Sequence, residues 1–171
     1  AFTFTNRGGY ARVDATLGRL TVDAGLRADR VGGDFRDAAT GAERPMIRYG
    51  WIPQPKASAT LALGARASVY GNYGRGFQTG TGLAAYALQS PGAPPLTWSK
   101  NDGSELGLVL QPLAAWSVRA GAWRQDATDE VRLRFDNSGD SENIGRTRRT
   151  GVDVESTVQL GRGLSVWGAL T

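Results

Sequence analysis

The sequence predicts an all-β chain: an antiparallel transmembrane β-barrel segment of about eight meandering strands with alternating short turns and long loops. Three observations carry this expectation. Apolar and polar residues alternate with a period of two through successive hairpin-like pairs. The runs approach or exceed the roughly 9 to 11 residues that a tilted strand needs to cross a bilayer, against a soluble mode of about 5 to 6. The apolar positions hold largely Ala, Val, Gly and Leu, whereas a sandwich core needs larger interlocking side chains to reach native packing density.

The first pair sets Ala11, Val13, Ala15 and Leu17 against Arg12, Asp14 and Thr16, and it turns at Gly18-Arg19. It returns with Leu20, Val22, Ala24, Leu26 and Ala28 on the apolar face and Asp23, Arg27 and Asp29 opposite. In the second pair Tyr49, Trp51, Ala57, Ala59, Leu61 and Leu63 share a parity. Gly64-Ala65 turns the chain, and Ala67, Val69, Gly71 and Tyr73 continue that face. Pro53 and Pro55 lack the ladder N–H, which predicts an irregular stretch.

The third pair runs through Leu106, Leu108 and Leu110, turns between Gln111 and Ala115, and returns through Trp116, Val118, Ala120 and Ala122. Val131, Leu133 and Phe135 then have the opposite parity, which predicts a β-bulge between Trp123 and Asp129. The last pair places Val152, Val154, Val158 and Leu160 against Asp153, Glu155, Thr157 and Gln159. It turns at 161–163 and closes with Leu164, Val166 and Leu170. Longer polar or Gly/Pro-rich segments at 31–46, 78–99 and 136–142 alternate with the short turns, so all short turns belong at one end.

Alternation alone fits both a soluble β-sandwich and a barrel whose apolar face meets lipid. Strand length and small apolar residues favour the barrel. So does the mixture of both charge signs on the polar face, at Arg12, Asp14, Asp23, Arg27, Lys56, Arg119, Asp153 and Glu155, which suits a water-filled interior. Tyr49, Trp51, Tyr70, Tyr73 and Phe77 gather toward the long-loop ends, where an aromatic girdle meets the headgroups; Trp51, Tyr73 and Phe77 are the girdle residues expected from this.

Composition excludes several function classes. With no cysteine and no histidine, the chain lacks thiol nucleophiles, Ser/His/Asp triads, disulfides and the usual zinc or haem ligands, so no enzyme activity, catalytic residue, metal or cofactor is expected. The net charge of +4 comes almost wholly from arginines dispersed at strand spacing among carboxylates, which argues against a nucleic-acid partner. No run of about 18 apolar residues is present to make a spanning helix.

Individual motifs are modest. Gly74-Arg75-Gly76 with Gly80 does not have the spacing of a phosphate-cradling loop. DNSGDSE at 136–142 misses the calcium-loop spacing and reads as a solvated hairpin tip. Arg146, Arg148 and Arg149 form the densest basic cluster, a candidate contact for lipid phosphates or another anion, or simply the marker of the upper membrane boundary. Tyr86 and Trp98, in the 78–99 segment, are candidates either for stacking on a ligand or for packing the loop on itself.

Taken in order, LTVDAGLRAD (20–29), VYGNYGRGF (69–77), SELGLVLQP (104–112) and NIGRTRRTGVDVE (143–155) resemble the barrel of TonB-dependent outer-membrane receptors. The resemblance covers nearly the whole chain. It implies that residues 1–171 are a partial receptor barrel domain, lacking the plug and the remaining strands of a barrel of roughly 22 strands. It further implies a Gram-negative outer-membrane location, outer-membrane lipid as surroundings, and a TonB-type energy-coupling protein as partner through an N-terminal region absent here. The parent would actively import a scarce nutrient such as a ferric siderophore or cobalamin. A passive porin-type barrel and a soluble β-sandwich binding or adhesion module are the alternatives.

Overall fold

The computed structural model describes residues 1–80, 82–86, 90, 96–161 and 163–171. Its strands are β1 (Phe2–Leu17), β2 (Leu20–Arg36), β3 (Glu43–Pro45), β4 (Ile52–Ala62), β5 (Ala67–Gln78), β6 (Ser99–Leu113), β7 (Trp116–Leu133), β8 (Ser141–Gly161) and β9 (Leu164–Leu170). One 3₁₀ turn, Gly82–Tyr86, lies between β5 and β6. The strands form a single antiparallel meander in the order β1-β2-β4-β5-β6-β7-β8-β9, with β3 attached only to β2. The sheet is open, and β1 and β9 are its edges.

The cross-strand register turns the alternation of each strand into two continuous faces. The pairs Val13↔Ala24, Val22↔Ala59, Ala57↔Tyr73, Gly71↔Leu106, Leu108↔Ala120, Ala122↔Val152 and Val154↔Leu170 carry the apolar face across eight strands. Side chains at i and i+2 share a face, so every residue of opposite parity falls on the polar side. The apolar face is uncovered: Val13 is 69% exposed, Leu106 64% and Leu170 74%. An apolar surface of this extent needs an apolar solvent or partner.

The short turns lie at one end of the sheet, as expected. At the first of them Gly18 has φ +63°, a left-handed conformation that a side chain disfavours and that a two-residue hairpin needs. The long connections at the other end are shorter than the sequence suggests at 31–46, because β2 runs on to Arg36 and β3 pairs back onto it through Asp34↔Pro45 and Arg36↔Glu43. Parts of the 78–99 connection (81, 87–89, 91–95) and Arg162 of the 161–163 turn lie outside the described residues.

Two local expectations are corrected. Pro53 and Pro55 sit in regular pairing with Ala28 and Leu26. The β4 to β5 ladder ends at Lys56↔Gly74, so one side of residues 52–55 has no ladder to lose a donor from. The bulge expected between Trp123 and Asp129 is also absent, since β7 and β8 hold one register from Trp116↔Val158 to Leu133↔Ser141. The change of face comes instead from Asp129, whose φ of +56° is left-handed. Beyond it the Glu130 carboxylate reaches Thr147 and Arg149 on the polar face, which regular alternation would deny it. The true register shifts lie at the turn ends, between Leu110 and Leu113 and between Gln159 and Gly161.

Buried apolar residues are few and gather at the long-loop end: Val31, Met46, Ile52, Ala85 and Tyr86, with Phe35, Tyr49, Phe77 and Trp98 packed around them. Val31 and Ile52 continue the polar-face parity of Asp29 and Gln54. The 3₁₀ turn therefore folds over the polar side of the sheet.

Candidate functional site

The polar face carries two charged clusters beneath this loop core. Tyr70 on β5, Glu105 on β6 and Arg119 on β7 form the first. The Tyr70 hydroxyl donates to the Glu105 carboxylate. Arg119 donates through Nε to the Tyr70 oxygen at 2.7 Å and through Nη2 to Glu105 at 2.8 Å, with its guanidinium 4.8 Å from the Tyr70 ring centroid. Asn72 donates a longer bond to the same carboxylate, 3.4 Å. The cluster needs space that only glycine leaves: a Cβ on Gly107 would overlap the Tyr70 ring, and one on Gly121 would lie 2.7 Å from Glu105 Oε1.

Asp153 and Glu155 of β8 line the same small cavity, of about 100 Å³. Asp153 Oδ1 has no partner among the described residues. Three carboxylates and one guanidinium thus face each other, leaving the patch negative and fit to receive a cationic or hydrogen-donating group.

The second cluster lies on β1, β2 and β4. Arg27 grips the buried carboxylate of Asp29 with two bonds of 2.6 Å, and Gln54 donates to the same group. Arg12 bridges Asp14 at 2.7 Å and also pairs with Asp23. Two-pronged arginine contacts fix both partners' orientation, so this corner is a set of paired charges.

Above these clusters the described residues of the β5 to β6 connection make contacts at two sides of the sheet. At one side the Tyr86 hydroxyl donates to the Thr3 carbonyl at 2.6 Å, and its ring lies 5.3 Å from Phe2 and 6.4 Å from Phe35. Ile47 N–H donates to the Ala85 carbonyl at 2.9 Å. At the other side Ser90 N–H donates to Asp140 Oδ1 at 3.0 Å, and Thr97 exchanges two bonds with the Asn143 side chain, 2.8 and 3.1 Å. The connection is therefore tied to β1 and to the β7–β8 hairpin at once. The Ser90 amide holds the Asp140 carboxyl below its ordinary range. Two amides, of Ala39 and Thr40, do the same for Asp37, and burial raises the Tyr49 phenol.

The residues singled out from sequence separate into different places. Tyr86 is 5% exposed inside the loop core, and Trp98 is half-buried against it. Of the girdle residues, Trp51 and Tyr73 are exposed, while Phe77 packs partly on the loop core. Tyr70, grouped with them in the sequence, belongs to the polar face. Its even number, shared with Ser68 and Asn72, was the available signal.

The three arginines divide as well. Arg149 pairs with Glu130 at 2.9 Å on the polar face. Arg146 and Arg148 lie on the apolar-face side, where Arg148 pairs with Asp126 at 2.6 Å. There they join residues the sequence reading passed over, Lys100 and Arg124, around a cleft of about 380 Å³.

A family model described as "TonB dependent receptor-like, beta-barrel" matches residues 1–171. No curated protein sequence matches the chain. Among solved structures, the FrpB iron transporter from Neisseria meningitidis superposes with a TM-score of 0.73 at 15% identity, over 98% of this chain and 25% of that one. The copper transporter OprC gives 0.75 at 15% identity, over 98% and 27%. The ferric-catecholate import receptor Fiu from K12 E. coli gives 0.61 at 17% identity, over 98% and 28%. At these identities the likeness is one of fold, and the chain spans about a quarter of each of these structures.

Proposed function

The chain belongs to the TonB-dependent receptor β-barrel family, and we propose on that premise that it forms part of the barrel wall of an active transporter in a Gram-negative outer membrane. The parent protein imports a scarce nutrient such as a ferric siderophore or cobalamin, coupled to a TonB-type protein through its N-terminal region. The observation that carries this reading is the division of one eight-strand meander into an uncovered apolar face and a charged face, with the 3₁₀ turn Gly82–Tyr86 packed over the charged side. Lipid covers the first, and the second lines the path that a plug and a ligand occupy. Solved structures of similar fold are named as iron, ferric-catecholate, ferric citrate and copper transporters, which supports a metal-bearing cargo.

Ligand capture falls to the long-loop end. Trp98, half-buried, keeps ring surface available for stacking there. Tyr86 reaches a ligand only when its connection lifts, because its ring and hydroxyl are both engaged. Trp51 and Tyr73 hold the headgroup level from outside.

The test is uptake by cells carrying the full-length receptor, with radiolabelled ferric siderophores and cobalamin, with and without the coupling protein. Accumulation that requires the coupling protein supports the reading. Coupling-independent leakage of small solutes would indicate a passive porin instead. A parent that is a water-soluble monomer without detergent would overturn the barrel and favour a binding module.

A further inference from the structure

We propose that the cleft on the apolar-face side between β6, β7 and β8 binds phosphate groups of outer-leaflet lipid, with Lys100, Arg124, Arg146 and Arg148 as the binding cations. The inference rests on the barrel reading above, which makes this face the lipid-facing one. Parity places the residues there: Lys100 follows Leu106 and Leu108, Arg124 follows Ala122, and Arg146 and Arg148 precede Val152. Arg124 and Arg148 lie one side-chain repeat beyond Ala122 and within two of Val152, so at ~3.4 Å per residue the charges begin ~7 Å past the apolar belt. They sit at its long-loop end.

The cleft holds more positive charge than it neutralises. Arg124 and Arg148 share the two oxygens of Asp126, at 2.5 and 2.6 Å, so one carboxylate serves two guanidiniums. Asp102 is shared between Arg75 at 2.7 Å and Lys100 at 3.6 Å. Arg146 is exposed and has no partner among the described residues. Thr128, which shares their parity, also lines the cleft. Guanidinium forks match phosphate oxygens two at a time, and a cleft beside an apolar belt presents them to a lipid headgroup.

A second place on the same face repeats the chemistry. Arg7 and Arg30 are directly opposed across β1 and β2. Both are exposed and neither has a partner among the described residues. Like charges directly opposite destabilise a strand pair, and an anion between them reverses the sign. Trp51, 59% exposed, follows next in register beside Arg30, after Asp29↔Ile52, which puts an interfacial aromatic beside the pair.

The experiment uses the full-length receptor purified in a neutral detergent. Binding of a bisphosphorylated lipid A and of the same lipid without phosphates is followed by native mass spectrometry, with inorganic phosphate as a separate probe. Heat-modifiable mobility on gels reports the folded barrel independently. The triple variant Arg124→Gln/Arg146→Gln/Arg148→Gln is expected to lose about tenfold or more in affinity for the phosphorylated lipid. Arg149→Gln, altered on the other face, is expected to match the parent. Arg146→Gln alone removes no internal bond and is expected to lose about threefold, which keeps the test valid if the triple variant folds poorly.

Affinity for the phosphorylated lipid unchanged from the parent in both the Arg146→Gln and the triple variant overturns the proposal. So does equal retention of the phosphate-free lipid, or a cleft that inorganic phosphate saturates while lipid does not bind. Any of these with a folded, transport-competent barrel leaves the functional reading standing. A parent that is folded and monomeric without detergent sinks both.

Discussion

Arg119 of β7 lies over the ring of Tyr70 of β5, two strands away, with its guanidinium carbon 4.8 Å from the ring centroid and its Nε 2.7 Å from the phenol oxygen. The contact passes over Gly107 of β6, which has no side chain to interrupt it. Glu105 closes the triangle by accepting from both. Replacing Tyr70 with Phe keeps the ring and removes one acceptor and one donor, so a loss of about 1 kcal/mol is expected. Arg119→Ala leaves Glu105, Asp153 and Glu155 facing one another without a cation, and should cost more, about 2 kcal/mol. Urea unfolding of the full-length receptor in detergent checks both, and the double variant measures the coupling. Additive effects would show that the triangle does not act as a unit.

The glycines of this face separate into those that are required and those that are not. Gly107→Ala drives a methyl group into the Tyr70 ring, and Gly121→Ala presses on the Tyr70 hydroxyl and on Glu105. Each is expected to destabilise by about 1 to 3 kcal/mol through overpacking. Gly145→Ala meets nothing within 4 Å and is expected to be neutral or slightly stabilising. The same unfolding measurement ranks the three, and a neutral Gly107→Ala would mean that the ring swings aside without loss.

Most of the sheet was legible in the alternation, and much of the site was not. Period-two parity places Val13, Val22, Ala59, Leu106, Ala120 and Val152 on one face without any tertiary information, because strand geometry alone decides it. Strand ends were harder. Extension of β1 back to Phe2 and of β2 out to Arg36 depends on their pairing with each other through Asn6↔Val31 and Gly8↔Asp29, where neither strand alternates cleanly. The Tyr70–Glu105–Arg119 triangle needed register between three strands, which no single strand encodes. At Asp129 the change of parity was visible, but a left-handed residue and a bulge leave the same trace in a sequence. The division of Arg146 and Arg148 from Arg149 followed directly from even and odd numbering.

Tyr86 fastens the β5–β6 connection to the far side of the sheet by a ring cluster and one hydroxyl bond. Tyr86→Phe removes only the bond to Thr3 and is expected to raise proteolytic nicking of the connection by a few-fold. Tyr86→Ala also empties the ring cluster and should raise it by tenfold or more, given the ~3 kcal/mol typical of deleting a buried aromatic. Limited proteolysis of the detergent-folded receptor, read by mass spectrometry for cuts between 79 and 98, distinguishes them. Unchanged cutting in both variants would assign the hold on this connection to Asp140 and Asn143 instead.

The Asp140 bond gives that hold a pH dependence with a definite sign. Its carboxyl is kept below the ordinary range mainly by the Ser90 amide, so the folded form favours the ionised state. A depressed folded pKa adds stability above the unfolded value, about 3.9, and loses it as pH falls through the folded value. Asp37 in the β2–β3 connection and Asp136 in the β7–β8 connection, held down by the amides of Ala39 and Thr40 and by Ser138, change in the same direction. Hydrogen exchange at Ser90 and Thr97 and across 134–143 is therefore expected to stay flat from pH 7 to about 5, after correction for intrinsic rates, and to quicken below about 4. Asp140→Asn, which keeps an acceptor but cannot ionise, should flatten that rise at Ser90. The chain has no histidine, and a loosening centred near pH 6 would not be the titration of these lowered carboxylates and would remove them as the control.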